Sequence, residues 1–400
     1  MKALQNLVLR FRRITSSGDY LGAVDGVRFV AITLVFIQHL HERVIRRAAA
    51  QYPDVSVNAL WTAGPGVFIF FALSGFILFR ILEKPFREGR MPDLKKYFLR
   101  RLTRLEPPYI VITTLIFLVL TLGLYHGTGK FLGHGDRPFW ESYLATITYT
   151  HGLLFAVPPS VNPPGWTLEI EVQFYILAPL FVFLLYRLAN ARWRIIGLIV
   201  VILLWTWAGK YYTRNNHDDV IDSPRFFYSI LSKLPYFLVG FVVLELRRLH
   251  AGKPTAGWVD ALAIGGLVAL LTVSTGFILP IVIWQCLFIG FFLYGALAGG
   301  RLTRLLNWGV LASLGGMCYT LYLIHLPVME LAVKLTSRLG LGMPYICYYL
   351  VQAALIIPAV YVVAGILYLL VEQPCMRPQW PLELWNYLRT GRKHAPDRLP

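Results

Sequence analysis

Acidic residues are scarce in this chain: 21 Asp and Glu stand against 38 Lys and Arg in 400 residues, a formal net charge of +17. Charge of either sign is itself sparse at 15%, while 56% of the residues are hydrophobic and 14% aromatic. Soluble globular chains run to about 45–50% apolar. The excess here comes in long blocks, which excludes disorder, collagen, coiled coil and a compact water-soluble enzyme. Cysteine is rare as well. Cys286, Cys318, Cys347 and Cys375 lie far apart without metal-ligand spacing, so neither a disulfide framework nor an iron–sulfur site is expected. The chain lacks a P-loop, a zinc motif and a dinucleotide fingerprint. It also lacks a groove-reading basic helix or an aromatic RNA-binding motif, so the positive charge is not a nucleic-acid footprint.

What is present is apolar sequence in membrane-length runs. Eleven segments stand out, at roughly 24–40, 58–80, 107–125, 143–157, 166–187, 195–212, 227–246, 258–276, 279–299, 309–333 and 345–371. Ten have the ~17–25 residues that a spanning helix needs. The fourth is short, and Thr146, Thr148, Thr150 and His151 make it polar. If it does not cross, 26 Lys and Arg fall on the side of the termini and ten on the other. Cytoplasmic loops collect basic residues, so this split favours ten spans with both termini cytoplasmic in the inner (plasma) membrane. The fold class expected is therefore an all-α polytopic bundle of about ten spanning helices, with 126–165 as an external or re-entrant excursion. The Asp218, Asp219 and Asp222 loop falls outside. Residues 1–23, with Lys2, Arg10, Arg12 and Arg13, read as a retained basic leader, 24–376 as the membrane domain and 377–400 as a basic cytoplasmic tail.

Ionisable side chains inside a bilayer cost a few kcal/mol each, so each one needs a reason. Asp25 and Arg28 are three apart and share a helix face. His39 follows eleven residues after Arg28 on the same face, about 16 Å further out. The structural alternative is an ion pair plus an interfacial histidine. The fifth span opens with Trp166, Glu169, Glu171, Gln173 and Tyr175. Two carboxylates suggest acid–base work, but residues two apart on a helix point apart. Glu171 shares a face with Tyr175, and Glu169 with Gln173. Tyr319, Tyr322 and His325 form a stripe in the tenth span, whose plain alternative is an aromatic belt. Lys95, Lys96, Arg100, Arg101 and Arg104 lead into Pro107-Pro108-Tyr109. Arg100 and Arg104, one turn apart, suit a bidentate phosphate clamp or an anchor to lipid phosphates. Ser74 and Gly75 permit close helix approach, and Ser74 lacks a nucleophile-elbow context.

Together these residues resemble the integral-membrane acyltransferase family 3, which includes sugar and antibiotic O-acyltransferases. Asp25-Gly26-x-Arg28 with His39 is similar to its first-helix signature, and Phe70-Phe71-Ala-Leu-Ser74-Gly75-Phe76 to its second-helix motif. Arg101-x-x-Arg104-x-x-Pro107-x-Tyr109 is similar to its cytoplasmic arginine motif, and Trp166-Thr-Leu-x-x-Glu171-x-Gln173-Phe174-Tyr175 to its glutamate motif. Tyr319-x-x-Tyr322-Leu-Ile-His325 and Glu372-x-Pro374 match its closing segments. The motifs follow in order over nearly the whole chain. Phe29, Val172 and Glu169 depart from the pattern, so Glu169 is not assigned to catalysis. No hydrolase-like domain is expected after the last span.

The resemblance implies transfer of an acyl group, acetyl above all, from cytoplasmic acyl-coenzyme A to a hydroxyl of a glycan or other extracytoplasmic acceptor. Acyl-coenzyme A is a donor substrate, and no permanently bound cofactor or metal is implied. On this basis His39 is expected as general base or transient acyl carrier, and a neutral imidazole suits either role. Glu171 is expected to orient or charge-stabilise His39. Arg101, Arg104 and Tyr109 are expected at the donor, with Arg28 stabilising developing charge or pairing with Asp25. Ser74, Trp166, Tyr175, Tyr322 and His325 complete the candidate site. A glycolipid or saccharide exporter is the alternative, with a non-catalytic scaffold or sensor behind it. An exporter moves substrate without consuming coenzyme A and favours an internal symmetry that the sequence does not show. Arg104→Ala is expected to weaken donor binding more than acceptor binding, as read by titrating each separately. Equal losses in the two affinities would instead mark Arg104 as a folding residue.

Overall fold

The computed structural model describes residues 10–14, 20–60, 64–123, 137–188, 190–215, 224–252, 257–272, 279–377, 379–383 and 389. Lys130, the acidic 218–222 loop, most of the leader and most of the tail lie outside these residues. The described chain is helical, without strands. In order, the helices are α1 (Gly22–Ala48), α2 (Gly66–Arg87), α3 (Leu94–Thr121), α4 (Phe139–Ile147), α5 (His151–Phe155), α6 (Gly165–Leu185), α7 (Ala191–Asn215) and α8 (Pro224–Phe227). They continue as α9 (Ile230–Leu249), α10 (Trp258–Thr272), α11 (Leu279–Leu297), α12 (Arg301–Leu306), α13 (Gly309–Gly316), α14 (Cys318–Thr336) and α15 (Tyr345–Leu367). A π-helical turn, Tyr368–Glu372, and the short α16 (Gln373–Cys375) close the bundle.

Among the described residues nine helices are long and apolar enough to cross a membrane, and α10 is a shorter apolar helix of 15 residues. Their exteriors are apolar: Ile176, Leu204, Val362 and Leu370 are each about 60–70% exposed. Asp25, Glu83, Glu169, Glu245, Lys233, Gln285, Gln352, His325 and Glu372 are all buried. This is the inverse of a water-soluble domain and the expected response to a hydrocarbon solvent. The protein is a multi-pass membrane protein. The tenth expected span, 309–333, is interrupted: α13 and α14 are separate helices that meet at Met317.

The fourth apolar segment does not cross. It folds as α4 and α5, joined through Tyr149 in the left-handed region at φ 56°. Thr114 and the Tyr143 hydroxyl meet at 2.8 Å, and the Tyr109 hydroxyl donates to the Thr146 carbonyl at 3.1 Å. Tyr109 lies twelve residues before the end of α3, about 18 Å at helical rise. The hairpin therefore dips well into the bundle, and its threonines and histidine bond there. Ser142 Oγ and His151 Nε2 are 3.0 Å apart, and His151 Nδ1 meets the Val157 carbonyl at 3.0 Å.

Two local features aim the long helices. Asp93 caps α3 by accepting from Lys96 N at 2.9 Å. The basic run and the third span then form one continuous helix through Pro107 and Pro108, although the expected span began at 107. Proline has no N–H, so Pro107 deprives the Thr103 carbonyl of its helical donor. Trp380 Nε1 supplies the missing bond at 2.8 Å. The second feature is the α2–α9 contact. Gly75 backs onto the Phe237 carbonyl and Gly240 onto the Ala72 carbonyl, and a methyl group at either position would overlap backbone. Close approach of this kind drives helix association where lipid offers no hydrophobic force. Gly75→Ala and Gly240→Ala are each expected to cost about 1–3 kcal/mol of stability from overpacking. Gly265→Ala, with open space around it, is expected to be neutral or slightly stabilising. Thermal unfolding of the detergent-solubilised protein distinguishes the two outcomes.

Candidate active site

Some of the polar residues that the helices bury form a column through the bundle in three tiers. The first lies at the end that gathers the basic loops. Arg28 donates to Asp25, and Arg13 Nη1 lies 3.7 Å from the same carboxylate. Two guanidinium groups thus share one acid. Burial and the neighbouring Arg28 lower the affinity of Arg13 for its proton, and Asp25 opposes them. Arg104 sits in the field of three like charges, Arg13, Arg28 and Arg101, and of one opposite charge, Glu372. Glu372 is held by Thr320, accepting from its N at 3.1 Å and its Oγ1 at 2.5 Å. Four arginines therefore face two carboxylates. Arg104 Nη2 and Arg101 Nε are buried without hydrogen-bond partners among the described residues. Planar donors in that state fit an anion, phosphate above all. Arg100 is exposed; Arg101, not Arg100, is the inward partner of Arg104.

The second tier surrounds Glu171. Ser74 Oγ donates to Glu171 Oε1, and the Tyr175 hydroxyl interacts with the same carboxylate. The Arg101 guanidinium lies 4.5 Å from the Tyr175 ring and 4.8 Å from the Tyr97 ring. A cavity opens here, lined on its polar side by Arg101, Glu106, Tyr149, Glu171, Tyr175 and Tyr319. The Tyr149 hydroxyl donates to Glu106 at 3.0 Å. Tyr109, expected at the donor, instead stacks on Tyr149 at 5.0 Å and bonds the hairpin backbone. Trp166 turns from the cavity and packs against Phe71, Phe227 and Tyr228.

The third tier holds the histidines. Thr167 Oγ1 donates to the Tyr322 hydroxyl at 2.9 Å, joining α6 to α14. One turn on, the His325 ring lies 5.3 Å from the His39 ring. His39 Nδ1 is 3.2 Å from Glu42 Oε2, and Gln38 Nε2 donates to the other Glu42 oxygen at 3.0 Å. His39 was expected to be oriented by Glu171; the structure seats Glu171 on Ser74 and gives His39 the carboxylate of Glu42. The cause is local geometry, since residues three apart on α1 meet without tertiary help. His39 keeps 27% side-chain exposure, against none for His325.

Glu42, Glu106 and Arg13 were missed as site residues. Glu42 carried a signal, its spacing from His39. Glu106 and Arg13 carried none, because tertiary contacts bring them to the column. Glu169 has a different task. It accepts from the backbone N–H of Gly152 at 2.8 Å and of Leu153 at 3.2 Å, capping the start of α5. Gln173, on the same face, accepts from Ile230 N at 3.0 Å at the start of α9. Among the described residues no cluster of three or more metal-ligating side chains occurs.

An acyltransferase-3 family model, described as an acyltransferase domain, matches residues 21–369. A peptidoglycan O-acetyltransferase OatA of Listeria monocytogenes is 23% identical over 385 residues, covering 90% of this chain and 56% of the relative. The O-acetyltransferase OatA of Staphylococcus aureus is 25% identical over 349 residues, covering 80% and 52%. An uncharacterised protein of Haemophilus influenzae is 26% identical over 187 residues, covering 45% and 74%. The chain thus spans about half the length of the two acetyltransferases it matches. No solved structure matches.

Separation of the two glutamates on α6 is testable. Glu169→Ala leaves two backbone N–H groups unpaired, at about 1–3 kcal/mol each. It is expected to lower the unfolding temperature and to expose the 139–155 hairpin to protease, with the turnover of the folded fraction preserved. Glu171→Ala is expected to show the opposite pattern, with loss of turnover at near-normal stability.

Proposed function

This chain belongs to the acyltransferase domain family, and we propose on that footing that it moves an acyl group, acetyl first, from cytoplasmic acyl-coenzyme A to a hydroxyl of a cell-wall glycan. The observation that carries this is the polar column itself. It joins a four-arginine cluster with unpaired buried donors to a histidine–carboxylate pair at the opposite side of the bundle. Basic loops face the cytoplasm, so the arginine end is the donor side and the His39 end the acceptor side. Arg101 and Arg104 would hold the phosphates of coenzyme A there, with Arg13 and Arg28 adding positive field. The O-acetyltransferase activity of the two OatA relatives points to an acetyl group, and that of the Listeria relative to peptidoglycan. The family match weighs against the exporter alternative.

The chemistry assigned to each residue follows from its contacts. His39 accepts the proton of the acceptor hydroxyl as it attacks the acyl carbonyl. Glu42 fixes the His39 ring through Nδ1 and stabilises the imidazolium that forms, as the buried carboxylate does in a triad. Glu171, with Ser74 and Tyr175, lines the passage between the two sides beside Arg101.

Acetyl-coenzyme A supplied to the protein in nanodiscs, with cell-wall glycan fragments as acceptor, is expected to release free thiol and to add acetyl mass to the glycan. Glycan movement without thiol release would overturn the proposal in favour of export. His39→Ala is expected to lower acyl transfer by about 10²–10⁴-fold, the usual share of a general base. Glu42→Gln is expected to lower kcat with little change in KM for acetyl-coenzyme A, because Glu42 acts only through His39. Full activity in His39→Ala would end the assignment.

A further inference from the structure

We infer that His325 is a covalent acyl relay, taking the acyl group on Nε2 from the donor side and surrendering it to the hydroxyl on the His39 side. The inference rests on the acyl-transfer function proposed above. It starts from a comparison of the three buried histidines among the described residues. His41 uses both ring nitrogens, Nε2 with the Ser56 carbonyl at 3.0 Å and Nδ1 with the Tyr345 hydroxyl at 2.6 Å. His151 also uses both, Nε2 with Ser142 Oγ and Nδ1 with the Val157 carbonyl, each at 3.0 Å. These two are pins between chain segments.

His325 is different. Its Nδ1 lies 2.7 Å from the Tyr322 carbonyl oxygen. A carbonyl only accepts, so Nδ1 carries the proton and Nε2 is left with a free lone pair. Nε2 is buried and has no hydrogen-bond partner among the described residues, and the side chain has 0% exposure. Buried ring nitrogens are as a rule paired, so an unpaired one calls for a reason. The ring is also held still, stacked on Phe36 at 5.5 Å and tilted against Tyr322 at 5.6 Å. A fixed, unprotonated and unpaired imidazole nitrogen is a nucleophile in its reactive form.

Its place in the column fits that role. Thr320, which holds Glu372 in the arginine tier, lies five residues earlier on α14, about 7.5 Å along the helix. His39 is the neighbour on the other side, ring to ring at 5.3 Å. A relay at this point means that donor and acceptor never share one pocket. In the first step the Nε2 lone pair attacks the thioester carbonyl carbon. An N–C bond forms, the C–S bond breaks, and coenzyme A leaves toward the donor side as a thiolate that takes a proton from water. The acyl-imidazolium keeps its Nδ1–H on the Tyr322 carbonyl. In the second step the acceptor oxygen attacks the same carbon and gives its proton to His39. The N–C bond breaks, the ester forms, and the Nε2 lone pair returns. His39 then passes the proton to water.

The two steps separate experimentally. The full chain in nanodiscs is mixed with acetyl-coenzyme A without acceptor, and thiol release is followed by rapid quench. A burst of about one thiol per chain is expected, with trapping of the acyl group by hydroxylamine. His39→Ala is expected to retain the burst, lose transfer to glycan, and accumulate one acetyl mass on the peptide holding residues 318–336. His325→Gln is expected to lose the burst while still binding coenzyme A and unfolding at a near-normal temperature. Turnover without a burst and with intersecting initial-rate lines, or a burst that survives in His325→Gln, would overturn the relay. If His325→Gln does not fold, the acetyl mass in His39→Ala decides: on His325 it supports the relay, elsewhere or absent it overturns it. Absence of thiol release even with acceptor present would instead overturn the function proposed above.

Discussion

The cost of placing a charge in hydrocarbon organises this molecule. Each ionisable group in a spanning helix carries a penalty of about 2.5–3.5 kcal/mol on insertion scales, and the described chain buries many of them. The helices meet that cost by turning these residues inward and pairing them across helices. Arg194 binds Glu245, and Arg248 joins Glu83 and Glu245 on the α2–α9 side. Asp25 takes Arg28 and Arg13, and Glu372 takes Thr320. The column is therefore as much the means by which the bundle assembles as a feature that the bundle contains. The glycine contact of α2 and α9 adds close packing where charge is absent.

The hairpin of α4 and α5 obeys the same constraint with backbone groups. Non-helical backbone at membrane depth is tolerated only inside protein or beside a polar cavity. Here Glu169 takes two of its N–H groups, Tyr109 takes the Thr146 carbonyl, and His151 takes the Val157 carbonyl. What this achieves is the placement of Tyr149 against Glu106 at the back of the cavity. The left-handed Tyr149 conformation is a local cost that the stacking on Tyr109 and the bond to Glu106 offset.

Much of the fold was legible because hydropathy and charge asymmetry act along the chain. Among the described residues nine long helices, the short α10 and the polar fourth segment stand where the apolar blocks place them. The break at Met317 follows Gly315-Gly316, a helix-breaking pair inside a run whose overall hydropathy reads as one span. At the site, His39, Glu171, Arg101, Arg104, Tyr322 and His325 all face the column. Their partnerships were less legible. A sequence shows who shares a helix face, so Glu42 beside His39 was readable in principle. It does not show that Ser74 of α2 meets Glu171 of α6, because that contact depends on how α2 and α6 pack. Tyr109 shows the converse: it belongs to the arginine motif in sequence, but its ring follows the hairpin, a tertiary neighbour without a signature in the motif.

Arg28 was left between two roles, a structural pair with Asp25 or a source of positive charge for the chemistry. The geometry makes the two compatible. Asp25 also faces Arg13, so one carboxylate serves two guanidinium groups, and the trio carries a net positive charge whichever arginine it bonds. Arg28 directs part of that charge toward Glu171, with which it interacts electrostatically. A fully neutralised Arg28 would contribute packing alone, and an unpaired one would bear the whole cost of its burial. Sharing Asp25 lowers the cost of holding Arg28 in the bundle while leaving a positive field between the arginine tier and the carboxylate of the second. Pairing and residual charge are here the same arrangement.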